Sequence, residues 1–251
     1  MIIFNEHEYV SNIVATHEKP PKMGIKRLIR YLIMFRIDEN RDSRPCDFAK
    51  SIMEELDEFH FNPLVYRRFE YAGYIKSLCR KYLKGELSAN MLNCEKIDIT
   101  RKEIDIVKSA NTEKEQRVLF TLFALSKVVT KQSGWVNYSM NDIFAYANVN
   151  CSKKEKHEII NSLYSQGLIE LSNSLKVYGY KVELQDDIDD VAITITEFED
   201  FGKQYVDSFV DGWMMCKRCR RLIRRRNNRQ MYCKKCANEI NAERARERQT
   251  A

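Results

Sequence analysis

Four cysteines near the C-terminus restrict this chain more than any other feature. Cys216, Cys219, Cys233 and Cys236 stand in the order C-x2-C-x13-C-x2-C, inside the stretch CKRCRRLIRRRNNRQMYCKKC. Two residues within each pair let both sulfurs reach one ion, and the insert between the pairs is of hairpin length. The pattern predicts one structural Zn²⁺ held by four thiolates at about 2.3 Å per bond, with no open position for water or substrate. So short a segment cannot bury a core of its own, so the metal would supply its folding free energy. The βαβ surroundings of a redox C-x-x-C are absent. Cys46, Cys79, Cys94 and Cys151 are scattered singly and read as core or surface thiols of a reduced compartment, with Cys151 also placed to start a helix.

Charge is concentrated around the same cysteines. From Cys216 to Ala251 there are 13 Lys or Arg against 3 Glu, a net +10, whereas the whole chain carries +6. Residues 1–215 are therefore net acidic, at −4. Four thiolates on one Zn²⁺ leave a formal −2, far less than the tail's excess. The complement expected is an external polyanion, nucleic-acid phosphate first. The expected contacts are Arg220, Arg221, Arg224, Arg225, Arg226 and Arg229 between the pairs, Lys234 and Lys235 in the second pair, and Arg244 beyond it.

Periodicity divides the rest. Residues 1–100 read as a helical domain. MGIKRLIRYLIMFRI sets Ile25, Leu28, Ile29, Leu32 and Ile33 at helical spacing, and PCDFAKSIMEELDEF does so with Phe48, Ile52, Leu56 and Phe59 behind Pro45. A third helix is expected near 62–84, along Phe69, Ala72, Ile75 and Leu78, with Gly85 as its stop. Residues 101–200 give a helix opened by a Thr112/Glu115 capping box, a strand WVNYS, a helix after Ser139, and a helix SKKEKHEIINSLYSQG ended by Gly167. A hairpin LIELS/SLKVYGYKVEL about Asn173-Ser174 follows, with VAITITEF as a possible third strand. Residues 183–211 hold ten Asp or Glu against one Lys. They are expected to give a solvated surface, or to rest on the basic tail and restrain it. Within them EFEDFGKQYVDSFV predicts a helix with Phe198, Phe201, Tyr205 and Phe209 on one side.

The phrase EIINSLYSQGLIELSNSLKVYGYKVEL, in this element order, resembles the winged helix-turn-helix of bacterial and phage DNA-binding proteins over about residues 101–184. RQMYCKKC, followed by the Gly- and Pro-free ANEINAERARERQT, is similar to their small terminal zinc fingers of treble-clef type, with Tyr232 over the knuckle. The first resemblance implies a recognition helix. Its outer face would carry Lys153, Lys154, His157, Asn161 and Ser165, opposite Ile159, Ile160, Leu163 and Tyr164, and Lys176 would lie in the wing. Lys suits phosphate and Asn a base edge, whereas Glu155 and Glu158 oppose phosphate.

The fold expected is thus mainly α with a small β-wing, an α+β chain. Its parts are a helical domain (1–100), a winged helix-turn-helix (101–200), an acidic and aromatic connecting helix (201–215) and a basic four-cysteine zinc finger (216–251). The function expected is a DNA-binding regulator of phage or mobile-element type. The alternatives are a phage-encoded interaction protein that inhibits a host or nuclease complex, and a replication- or RNA-associated binder. The partners are DNA, with RNA open; a host protein through residues 1–100 and a second copy of the chain are also open. No apolar run reaches the roughly 18 residues of a membrane span, and the start MIIFNEHEYV is no signal peptide, so a cytoplasmic location is expected. An enzyme is not expected. His7, His17, His60 and His157 are dispersed, phosphate-loop, metalloprotease and nucleophile-elbow motifs are missing, and Glu54, Glu55 and Asp57 read as a solvated helix face.

Overall fold

The computed structural model describes residues 3–20, 23–59, 66–129, 134–172, 179–185, 190–227 and 229–250. It divides the chain into two compact units, Met1–Glu95 and Lys96–Ala251. Helix predominates, and the strands form three small sheets, so the chain is mainly α with minor β. Among the described residues no helix is long and apolar enough to cross a membrane.

The first unit packs α1 (Glu6–Thr16), α2 (Ile25–Arg36), α3 (Pro45–Glu58) and α4 (Arg68–Leu83) around one apolar core. In α2 the apolar residues at helical spacing turn inward, so Leu28, Ile29, Leu32 and Ile33 are buried while Lys26, Arg27 and Arg30 stay exposed. Pro45 takes the first turn of α3, where its missing N–H costs nothing, and Phe48, Ile52, Leu56 and Phe59 are buried. Helix α4 starts at Arg68, later than expected; residues 62–65 of the predicted helix lie outside the described residues. Its expected stripe holds at Ile75 and Leu78 and fails at Phe69, which is 76% exposed. Six residues at about 100° each place Phe69 some 120° around the helix from Ile75. The carboxylates of α3 are ion-pair partners: Glu55 meets Arg36 at 3.0 Å, Glu54 meets Lys50, and Asp57 meets Arg68.

The second unit begins before the expected boundary at residue 100. Strand β1 (Ile97–Thr100) falls inside the region expected to be helical, but it pairs antiparallel with β5 (Val191–Ile195), matching Ile97 to Ile195 and Ile99 to Ile193. VAITITEF therefore does not extend the hairpin sheet. It recruits β1, whose alternating isoleucines are buried. Thr100 and Glu103 form a reciprocal cap that starts α5 (Arg101–Ser109). Glu103 is fully buried, and its carboxylate meets the Lys127 ammonium at 2.7 Å.

Helix α6 (Glu113–Val129), entered through the predicted Thr112/Glu115 box, is the centre of this unit. Val118 through Leu125 are all buried, because neighbours surround the helix: α5, β1, a later helix (Phe201–Phe209) and most of the elements named next. These are β2 (Trp135–Val136), α7 (Met140–Tyr146), α8 (Lys153–Ser165), β3 (Glu170–Leu171) and β4 (Tyr180–Lys181). Both pairings of the small sheet are antiparallel, and its order is β2-β4-β3. The expected Asn173-Ser174 turn lies outside the described residues.

The chain then forms α9 (Phe201–Phe209), where Phe201 and Tyr205 are buried and Tyr205 meets Phe120 of α6 at 5.3 Å between ring centres. Gly202 lies so close to the Ala147 carbonyl that any β-carbon there would overlap it. The last elements are β6 (Trp213–Met215), β7 (Leu222–Arg224) and α10 (Lys234–Thr250). The Met215 N–H donates to Asp207 of α9 at 2.7 Å, tying this final segment to α9.

Candidate metal centre and basic surface

The four paired cysteines converge. Strands β6 and β7 pair Trp213 with Arg224 and Met215 with Leu222, and the chain between them turns through Cys216–Arg221. The Arg220 N–H donates to the Cys216 carbonyl at 2.8 Å, and the Cys216 N–H to the Arg221 carbonyl at 2.9 Å. Closing this knuckle puts Arg220 at φ 55°, a left-handed conformation uncommon outside glycine. The second pair enters the first turn of α10, where the Cys236 N–H points at the Cys233 sulfur at 3.4 Å. The two knuckles are stitched together by the Lys217 N–H on the Met231 carbonyl at 3.0 Å and the Cys233 N–H on the Cys216 sulfur at 3.2 Å.

All four sulfurs lie within 4.8 Å of one another, and those of Cys219 and Cys233 are 3.8 Å apart. A tetrahedron with metal–sulfur bonds of about 2.3 Å sets its sulfurs about 3.8 Å apart. The cluster can therefore hold one metal ion, and four protein sulfurs would fill its coordination. Cys216 and Cys236 are buried, and Cys219 is exposed. Burial opposes ionisation of the Cys216 thiol, but backbone N–H groups of Cys219, Cys233 and Arg218 outweigh it and bring the thiol down to about 6. Burial and the three neighbouring thiols push Cys236 up to about 12.

The basic residues around the cluster fall into two groups. Some are committed. Arg218 meets Glu243 at 2.7 Å and Glu239 at 3.9 Å, which clamps the first knuckle to α10. Arg220 meets Glu197, so one of the predicted contacts is tied instead to the acidic segment. Lys235 lies 4.0 Å from Glu239, and the Arg224 guanidinium stands 5.7 Å from the centre of the Trp213 ring. Arg221, Arg226, Arg229, Lys234 and Arg244 are exposed and enter no ion pair among the described residues. Arg225 is exposed, and its N–H donates to the Gly212 carbonyl at 2.8 Å.

Helix α8 offers a second polar surface. Ser152 and Glu155 cap its start reciprocally, and Gly167, at φ 71°, ends it in the left-handed conformation expected of a helix stop. Ile160 and Leu163 are buried, whereas Lys153, Lys154, His157, Asn161 and Ser165 are exposed, as expected of an outer face. Lys154 is partly offset by Glu158 at 3.8 Å. Glu155 is held below the usual carboxylate range by the Ser152 backbone N–H and hydroxyl. Tyr164 departs from expectation: it is 54% exposed rather than on the buried side. It follows His157 by seven residues, about two turns, so it shares the outer face. That spacing is visible in the sequence. Lys176 lies outside the described residues.

The turn that presents α8 is braced from behind. Arg117 donates to the carbonyls of Ala147 and Asn148, and Asn148 holds φ 51°. Neither this clamp nor the fit of Gly202 on Ala147 is signalled in the sequence, since both depend on distant pairs. The sequence also gives no sign of a role for Trp213, three residues before Cys216.

No protein-family model matches the chain, and neither a curated protein nor a solved structure matches it.

Proposed function

We propose that the chain is a nucleic-acid-binding protein acting on DNA, a regulator of the kind that phages and mobile elements encode. In this reading a structural Zn²⁺ sits among Cys216, Cys219, Cys233 and Cys236, and residues 213–250 form a basic zinc finger. Helix α6 through strand β4 form a winged helix whose recognition element is α8. The order helix, strand, helix, helix, strand, strand with sheet order β2-β4-β3 supports the winged arrangement. The observation that carries the proposal is the set of exposed cations without ion-pair partners among the described residues, Arg221, Arg226, Arg229 and Lys234, gathered around four convergent thiols. Cations that only solubilise a surface are ordinarily interspersed with carboxylates. These lack them.

The two modules have separable roles. Arg226 and Arg229 neutralise phosphate, so changing both to Ala should weaken binding to every duplex alike. The slope of log affinity against log salt should flatten by about 0.9 for each phosphate no longer neutralised. Asn161→Ala should cost about 1–3 kcal/mol on a preferred site, obtained by selection from random duplexes, and leave random DNA unaffected. Affinities on both DNAs across a salt series test this. Variants that all bind like the parent, or a parent that binds no DNA at low salt, would overturn the reading. A second reading, contact with a protein, is favoured by Phe69, 76% exposed on α4 of the first unit. It predicts partner capture that survives nuclease treatment and is lost in Phe69→Ser.

A further inference from the structure

Beside the metal centre lies a groove of about 580 Å³ between the β6–β7 hairpin and the start of α10. Its size falls in the ordinary range of small-ligand pockets, about 300–1,000 Å³. Trp213 and Tyr232 supply aromatic surface, Arg224, Arg226 and Lys234 supply charge, and no carboxylate among the described residues lines it. Leu222 and Ile223 complete its apolar wall. This combination is more than phosphate binding requires. A paired duplex shows a protein its phosphates and base edges, while the faces of its bases are stacked on one another. Aromatic side chains next to cations suit a base whose face is free.

We infer that this groove takes one unpaired nucleobase and the phosphate next to it, so that the finger binds a nucleotide in a single strand or one extruded from a duplex. The inference rests on the nucleic-acid reading above and adds to it the form of DNA that the finger engages. Arg224 stands over the Trp213 ring, 5.7 Å from its centre. An incoming base replaces one π contact by another, and the displaced guanidinium becomes available to the neighbouring phosphate. The Gln230 side chain ties two sides of the rim together: its oxygen accepts from the Arg226 N–H at 2.7 Å and its amide donates to the Tyr232 carbonyl at 3.3 Å. Arg226 is thereby positioned at the groove by its own backbone.

The chain has 2 Trp, so Trp135→Phe leaves Trp213 as the sole tryptophan reporter. The zinc-loaded full-length Trp135→Phe protein is titrated with three DNAs of one sequence: a paired duplex, that duplex with one unpaired base, and the single strand. Trp213 fluorescence should be quenched by the bulged duplex, by the single strand or by both, and not by the paired duplex. Which of the first two quenches identifies the source of the base. Trp213→Ala should weaken binding to the quenching DNA about tenfold or more, leave the paired duplex unchanged, and be rescued by Trp213→Phe. Should Trp213→Ala lose its metal, Tyr232→Ala takes its place in the comparison. Equal quenching by all three DNAs, or an equal drop in affinity for all three, makes the tryptophan a structural residue and overturns the inference. Binding to paired duplex with Trp213 silent throughout overturns the inference alone. Binding to none of the three overturns the parent reading with it.

Discussion

The cysteines near the C-terminus do work that the other four cannot. Cys79 is buried in the apolar core of the first unit, and burial pushes its thiol up to about 12, so it serves as a small apolar residue. Cys216, Cys219, Cys233 and Cys236 instead meet one another, with backbone N–H groups directed at their sulfurs. Purified protein should contain one Zn²⁺ per chain by elemental analysis, and the Cys216→Ser, Cys233→Ser double variant should contain none. Stoichiometric zinc in the double variant would exclude these ligands. The convergence of these four thiols is legible in the sequence, because C-x-x-C spacing is a local constraint. The state of each arginine is not. Arg218, Arg220 and Arg224 look alike in the run, yet one is bound to Glu243, one to Glu197 and one stands over Trp213. Those partners lie up to 25 residues away along the chain.

At the scale of elements, local signals are legible and distant pairings are not. The caps of α6, α7 and α8 are visible because Thr112, Ser139 and Ser152 bond to groups only three residues on. Strand β1 escapes a sequence reading because four residues give little periodicity and its partner β5 is some 90 residues distant. A charge pair between the buried Glu103 and the partly buried Lys127 helps join this strand pair to the central helix. The Lys127 ammonium also donates to the Asp98 carbonyl at 2.7 Å, so one side chain reaches β1, α5 and α6. Lys127→Met should leave the Glu103 carboxylate buried without its cation and cost about 3–5 kcal/mol, read by chemical denaturation of the second unit. Adding Glu103→Gln should recover part of that stability, since a neutral side chain needs no counterion. A Lys127→Met protein as stable as the parent would show that Glu103 has another charge partner.

Over the whole molecule the charge divides as no single element does. Residues 216–251 carry +10 against −4 for the rest, and Arg220–Glu197 shows one point at which the acidic segment touches the basic one. Of the acidic residues in 183–211, expected to give a solvated surface or to restrain the tail, Asp186, Asp187 and Asp189 lie outside the described residues. Helical character in the first unit and the asymmetry of charge are both legible, since each is a property of composition and period. The boundary between units is not, because it follows from β1 pairing forward in the chain rather than from any change in composition. In the proposed reading, a metal among four thiols holds these cations in a form that binds DNA. The most direct test is duplex affinity at fixed low salt, measured on the zinc-loaded chain, after chelation, and after zinc is restored. Chelation should weaken binding on the order of tenfold, and a parallel salt series should show the slope flatten by about 0.9 for each phosphate set free; zinc should restore both. Binding that is absent from the loaded protein, or unchanged when the metal is removed, would contradict the account.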